Sequence, residues 1–265
     1  MWASFIQLLF DLLQQLYYMV GDWGLAIIVF TVIIRLLMTP LMIKQTRSMY
    51  DLQKIQPLMK EIQEEYADDK ELQSQKLAEL YAEHKVNPFS SCLPMLLQLP
   101  IFMALYQMLA PITERTTGGP LALYLASTAG PEGVGRFFGI IPNIMLSASD
   151  VFAGGKGFLA TIPYFILLAL FAVSVYVPQL LQQQAAQNQD QPNQKMMSIM
   201  MVIMMLWFGW RAPAGVLLYW DTSSIIGIAQ QWFTQRQLKN ATEESTEIEA
   251  VKKPAKKPTK KTKKN

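Results

Sequence analysis

Two runs of residues decide most of what this chain can become. Residues 23–43, "WGLAIIVFTVIIRLLMTPLMI", hold one charged side chain, and residues 158–181, "FLATIPYFILLALFAVSVYVPQLL", hold none. As α-helices, both are long enough to cross the roughly 30 Å hydrocarbon core of a bilayer. Only 16% of the chain is charged, against about 25% in an ordinary soluble domain. The fold class these features predict is an all-α integral membrane protein.

Five spans are expected, over 22–43 (the first span), 88–111 (the second), 158–181 (the third), 195–210 (the fourth) and 214–235 (the fifth), the last two joined by the tight turn "WRAPA". Residues 1–21 read differently. Phe5, Leu8, Leu9, Leu12, Leu13 and Leu16 recur at helical spacing, yet Gln7, Asp11, Gln14 and Gln15 interrupt the apolar run, and no basic stretch precedes it. That pattern predicts an amphipathic helix lying in the membrane interface rather than a signal peptide or a span; whether a signal peptide preceded Met1 stays open. In 44–87, Leu52, Ile55, Met59, Ile62 and Tyr66 follow 3-4-3-4 spacing. After the turn "ADDK", Leu72, Leu77, Leu80 and Tyr81 mark a second amphipathic helix, so the segment is expected to form a helical hairpin. Residues 112–157 are expected to be a loop that dips into the interface around "RFFGIIPNIML", and 182–194 a polar connector. The tail, 236–265, ends with eight lysines in fourteen residues and is expected to be disordered.

Basic residues set the orientation. The 44–87 segment holds seven Lys and Arg and the tail from Arg236 onward ten, against three in 112–157. Because loops rich in Lys and Arg stay in the cytoplasm, the hairpin and tail are expected inside, and the amino terminus and the 112–157 loop outside.

The charge inside the first span is Arg35, in "FTVIIRLLMTP". An arginine at a helix centre costs about 3 kcal/mol on insertion scales. It lies nine residues, or about 13 Å, from Lys44, too deep for simple snorkelling. A water-filled pocket would keep it charged, and Thr31, one turn away, shares its face. Such a cation could attract an acidic tail of an incoming polypeptide. The plainer role is to cap carbonyls or pair with a fixed acid.

The sequence of 87–109, "NPFSSCLPMLLQLPIFMALYQML", with "RLLMTPL" before it and "LQKIQPLMKEIQEEY" between, resembles the YidC/Oxa/Albino family of membrane-protein insertases, in its short, Gram-positive-like bacterial form. The resemblance runs from about Trp23 to Leu238. It implies a five-helix core around a hydrophilic groove that opens to the cytoplasm and lipid but is closed to the outside, and insertion without nucleotide hydrolysis. It places Arg35 in the groove, with Tyr219 and Trp220 lining it and Gln179 contributing from the third span. Pro178, beside Gln179, is unusual for the family. Gln98 and Gln107, nine positions apart, lie on opposite helix faces, and Gln98 is assigned to the groove. The serines of "WDTSSIIG" and Gln107 are expected to bond helix to helix.

Apart from Asp22 at the very start of the first span, Asp221 is the only carboxylate within a span, and it departs from the family's apolar residue. It either couples to Arg35 through water, modulating the groove charge, or sits exposed near the outer interface. In the fourth span, Met196, Met197, Met200, Met201, Met204 and Met205 form a stripe suited equally to unrelated apolar segments and to lipid.

The function these features imply is insertion and folding of newly synthesised membrane proteins in the bacterial plasma membrane. The implied partners are nascent membrane proteins, the ribosome (its RNA through the lysine tail), the secretory translocon, the signal recognition machinery and anionic lipid. The rival reading is a small solute or anion transporter that binds at Arg35, for which no internal repeat is evident. An enzyme is not expected: the lone Cys92 and lone His84 lack partners for nucleophilic chemistry, and no phosphate-binding loop occurs. No catalytic residue, metal site or cofactor is predicted.

Overall fold

The structure is a computed structural model that describes residues 1–87, 93–110, 118–128, 135–155, 157–185 and 192–252. Its regular elements are helices: α1 (Trp2–Val20), α2 (Trp23–Glu65), α3 (Lys70–Glu83), α4 (Leu93–Met108), α5 (Pro120–Thr128), α6 (Ala148–Ala153), α7 (Phe158–Ala185), α8 (Pro192–Arg211) and α9 (Ala214–Lys252). By length and composition, α2 and the Phe158–Pro178 part of α7 could cross a membrane, and Ile199–Arg211 is a shorter apolar helix.

Asp22 starts α2 by accepting the Leu25 N–H on its side chain, and the helix then runs unbroken through Pro40 and Pro57. Span and first hairpin arm are therefore one rod, although the sequence suggested a boundary at Lys44. Asp69 caps α3, which returns beside the end of α2. Gln73 donates across the hairpin to the Gln63 carbonyl at 2.9 Å, and Ile55 and Leu80 are buried.

Helix α1 does more than lie on a surface. Ile6, Leu9, Phe10 and Leu13 are buried, and the helix packs on α2, α4 and α5. Trp23, the first residue of α2, stacks on Tyr17 at 4.2 Å between ring centres. Leu8 and Leu12 face outward, so the helix is apolar on two sides.

The 112–157 segment carries α5 and α6, where the sequence suggested only a loop. Apolar "PLALYLAST" gives α5 side chains to bury, and a capping box between Ser147 and Asp150 starts α6. Between them residues 135–147 form a cap over the adjoining ends of α2, α7 and α9. The N–H groups of Ala214 and Gly215 donate to the carbonyls of Leu146 and Ile144, at 2.9 and 2.8 Å. The Tyr164 hydroxyl of α7 donates to the Asn143 carbonyl at 2.8 Å.

Residues 236–252, where the sequence suggested the start of a disordered tail, continue α9. Between Gly227 and Pro254 the chain has neither Gly nor Pro, while Gln, Glu, Lys and Ala favour helix. The terminal lysine cluster from residue 253 lies outside the described residues.

Packing is uneven along the molecule. The core draws on α1, on the first two turns of α2, on Ala104 to Leu109, on the cap, on α7 and on residues 212–219. In α2 the closely buried series Trp23, Ala26, Ile27, Phe30 and Thr31 stops there, and the next buried residue is Gln45. Ile33, Leu36 and Leu37 are exposed, as are Leu96, Leu99 and Met103 of α4. One end of the bundle is therefore capped and tightly packed, and the other, called the open end below, is packed more sparsely.

Candidate functional site

Arg35 lies one turn beyond Thr31, where the tight packing of α2 gives way. Its side chain is half-buried and turns toward α9, where Nε donates to the Ser223 hydroxyl at 2.7 Å. One turn further along α9, Gly227 leaves room for the guanidinium. A Cβ there would lie 3.2 Å from Nη1, tighter than ordinary contact. One turn earlier, Tyr219 is almost fully buried, and its hydroxyl accepts from the Gln98 side chain of α4. Ser223 is also a hydrogen-bond partner of Tyr219. A polar chain thus crosses three helices, from Gln98 through Tyr219 and Ser223 to Arg35. Positions 219, 223 and 227 share one face of α9 because they are spaced four apart.

The polar contacts continue toward the open end. Thr39 donates to the Arg35 carbonyl at 2.9 Å and accepts from the Gln230 amide at 2.8 Å. The other amide atom, Gln230 Oε1, is buried without a partner, as are both amide atoms of Gln45. These pairings run in the same order along both helices, so α2 and α9 are parallel and share one polar seam.

Among the described residues no acid is seen in an ion pair with Arg35. The pairs Lys54 with Asp51, Lys60 with Glu64 and Lys76 with Glu79 all lie in the hairpin, away from Arg35. The neighbours of the guanidinium are a hydroxyl, a glycine and a phenol, a setting that solvates a cation without cancelling it.

The other expected site residues are placed as follows. Thr31 is fully buried and its hydroxyl bonds to the Ile27 carbonyl of its own helix at 2.6 Å, so it does not line an open surface. Trp220 turns away from Arg35 and packs edge-on against Phe102 and Phe171, with ring centres 5.5 and 5.7 Å apart. The backbone of Gln179 is in α7, but its side chain lies outside the described residues. Gln107 accepts from the Trp2 indole at 3.0 Å, on the face away from Gln98.

Asp221 does not sit exposed at an interface. It is 4% exposed and accepts from the Ser174 hydroxyl of α7 at 3.2 Å, and its second oxygen is buried without a partner. It lies two positions before Ser223, which puts it on the α7 side of α9 while Arg35 is on the α2 side.

Sequence reasoning missed Gly227, Thr39 and Gln230, and it expected a helix-to-helix bond at Ser223 without naming Arg35 as the partner. The four-residue spacing of Tyr219, Ser223 and Gly227 was visible, but nothing in one sequence says that this face meets Arg35.

A family model described as "60Kd inner membrane protein" matches residues 15–242. The chain belongs to this family. Curated relatives named "Membrane protein insertase YidC" from Francisella philomiragia and from Francisella tularensis subsp. novicida are each 35% identical over 236 residues, covering 89% of this chain and 36% of theirs. A crystal structure described as an active YidC insertase with its first transmembrane domain resolved matches with a TM-score of 0.59 and 28% identity, over 85% of this chain and 45% of that one. The chain therefore spans about a third of the length of these curated relatives. Membership of the 60Kd inner membrane protein family agrees with the resemblance read from 87–109.

Proposed function

We propose that this chain inserts newly made membrane proteins and helps them fold, with the seam between α2 and α9 as its hydrophilic groove. In this reading five segments cross the bilayer: the first part of α2, α4, α7, α8 and the first part of α9. The capped end faces outward, and the hairpin and carboxyl-terminal residues face the cytoplasm, as the distribution of Lys and Arg favours. The observation that carries the proposal is a guanidinium with no ion-pair partner among the described residues, held by Ser223 at the level where α2 passes from buried to exposed. Water entering from the open end keeps that cation charged.

An acidic or polar segment of a nascent protein is drawn toward Arg35 by Coulomb attraction. At an effective dielectric of 20 that is worth at most about 4 kcal/mol for a contact at 4 Å. The hydrophobic segment moves past α7 and α9 into lipid. Transfer of some twenty apolar residues supplies more free energy than the polar segment consumes, so the reading needs no nucleotide and no chemical step. The exposed methionines of α8, among them Met196, Met200 and Met204, suit either lipid or a passing segment. Partners in this reading are nascent membrane proteins, the ribosome at the hairpin and lysine-rich tail, the translocon and anionic lipid. The names of the relatives favour it over a solute transporter.

Purified protein in vesicles tests the mechanism directly. With a short substrate that has an acidic amino-terminal tail, Arg35→Ala is expected to cut insertion roughly tenfold, and Arg35→Lys to retain part of it. Equal insertion by wild type and Arg35→Ala would remove the electrostatic step.

A further inference from the structure

A hydrated cation inside a membrane protein needs a barrier on its far side, and the cap over the ends of α2, α7 and α9 is placed to provide one. Its hold on α2 is concentrated at Asp22. Oδ1 accepts the Leu25 N–H at 2.9 Å and so starts the helix. Oδ2 accepts the Phe138 N–H of the cap at 2.8 Å. Phe138 stands at φ 47° in a tight turn closed by mutual backbone bonds between Phe137 and Ile141, at 3.0 and 3.2 Å. Beside it, the Phe137 ring occupies the space a side chain at position 24 would need, since a Cβ on Gly24 would fall 2.3 Å from that ring. Ile141 and Ile144 then go down into the core, and Ile144 is fully buried.

We infer that Asp22 is a latch that holds the 135–147 cap closed over the helix carrying Arg35, and that this closure keeps small ions from crossing the groove. The inference rests on the groove reading above. One carboxylate joins the groove helix to the cap by two separate bonds, so helix start and seal are set by the same residue. The Phe138 φ value and the missing Cβ of Gly24 fit the turn to that contact, and with Phe138 and Ile140 exposed the apolar anchors of the turn are the half-buried Phe137 and the buried Ile141.

Three variants separate the two bonds. Asp22→Ser can still cap Leu25 but is too short to reach Phe138. Asp22→Asn has one acceptor oxygen and cannot make both bonds as Asp22 does. Gly24→Ala leaves Asp22 untouched and displaces Phe137. All three are compared with wild type in the intact chain, by hydrogen–deuterium exchange at the Phe138 amide and by chloride efflux from proteoliposomes.

Exchange at Phe138 is expected to rise about fivefold, the equivalent of one ordinary hydrogen bond, in Asp22→Ser and Gly24→Ala. Chloride efflux is expected to rise in both, with Asp22→Asn intermediate. Unchanged exchange would overturn the latch, and faster exchange with unchanged efflux would overturn the seal. Efflux that rises while insertion proves indifferent to Arg35→Ala would uphold the seal and reject the groove mechanism, so the two readings fail separately.

Discussion

The two ends of α2 teach different things about the same helix. From Trp23 to Thr31 it is packed on almost every turn, against α1, the cap and the start of α9. From Arg35 to Lys44 it is half-exposed or exposed, and what it offers α9 is polar: a guanidinium, a hydroxyl and one backbone carbonyl. Apolarity does not distinguish the ends, since Ile33, Leu36, Leu37 and Ile43 are as hydrophobic as Ala26, Ile27 and Phe30. The difference lies in what they face. In a membrane, apolar contact with lipid is no worse than apolar contact with protein, so tight packing holds helices together mainly through dispersion and close fit. The capped end spends its side chains on that fit, while the open end leaves its polar face for something else to meet.

The comparison is broken most easily at its strong side. Leu105→Ala, at a fully buried position of α4, is expected to destabilise the protein in detergent by about 2 kcal/mol or more. Leu37→Ala, at a residue 72% exposed, should stay within about 0.5 kcal/mol. Similar shifts in unfolding midpoint for the two would mean that the ends do not differ in packing. The next largest effect concerns the carboxyl buried at the tight end. Ser174→Ala removes the one hydrogen bond seen to Asp221 and is expected to cost about 1–3 kcal/mol. The double variant Ser174→Ala with Asp221→Leu should recover most of that, because an apolar pair leaves nothing unsatisfied. Failure of the double variant to recover would give Asp221 a role other than packing.

On the proposed function, effects at the open end should appear in insertion before they appear in stability. Gly227→Ala places a Cβ 3.2 Å from Nη1, and the guanidinium, as the free end of a long side chain, can move aside. Insertion of an acidic-tailed substrate is therefore expected to fall, though less than in Arg35→Ala, with the unfolding midpoint nearly unchanged. A large loss of stability would show that Arg35 is part of the packing and that the open end is tighter than it looks.

Much of this architecture was legible in the residues. Two of the long apolar runs coincide with the helices long and apolar enough to cross a membrane, and Leu52, Ile55 and Met59 with their 3-4 spacing fall in the later part of α2, because both signals are local. The nine-residue gap between Gln98 and Gln107 separated their faces, and they engage Tyr219 and Trp2 respectively. Contacts between distant elements were less legible. Thr31 shares a face with Arg35 by spacing, yet its hydroxyl returns to its own backbone, an alternative that spacing does not exclude. Trp220 and Tyr219 are neighbours in sequence but a hundred degrees apart on the helix, and only Tyr219 reaches the Arg35 network. Ser223, Gly227 and Gln230 took their meaning from the register of α9 against α2, which tertiary packing sets. Asp221 could not be placed, because a lone acid in an apolar run gives no sign of which neighbour carries the donor.

The smallest predicted effect separates a wet seam from a dry one. The Gln230 amide donates to Thr39 at 2.8 Å and more weakly to the Arg35 carbonyl at 3.4 Å, while Oε1 is buried with no protein partner. Gln230→Leu removes the donor bonds, a loss of about 0.5–1.5 kcal/mol, and also removes the unpartnered oxygen. If the seam is dry, losing that oxygen gains about 1–3 kcal/mol and the variant is neutral or more stable. If water from the open end supplies a hydrogen bond to Oε1, there is no such gain, and the variant is less stable by about 1 kcal/mol. The groove reading requires the second sign. A more stable Gln230→Leu would place a dry interface directly beside Arg35, and the guanidinium would then need some other source of solvation than water from the cytoplasm.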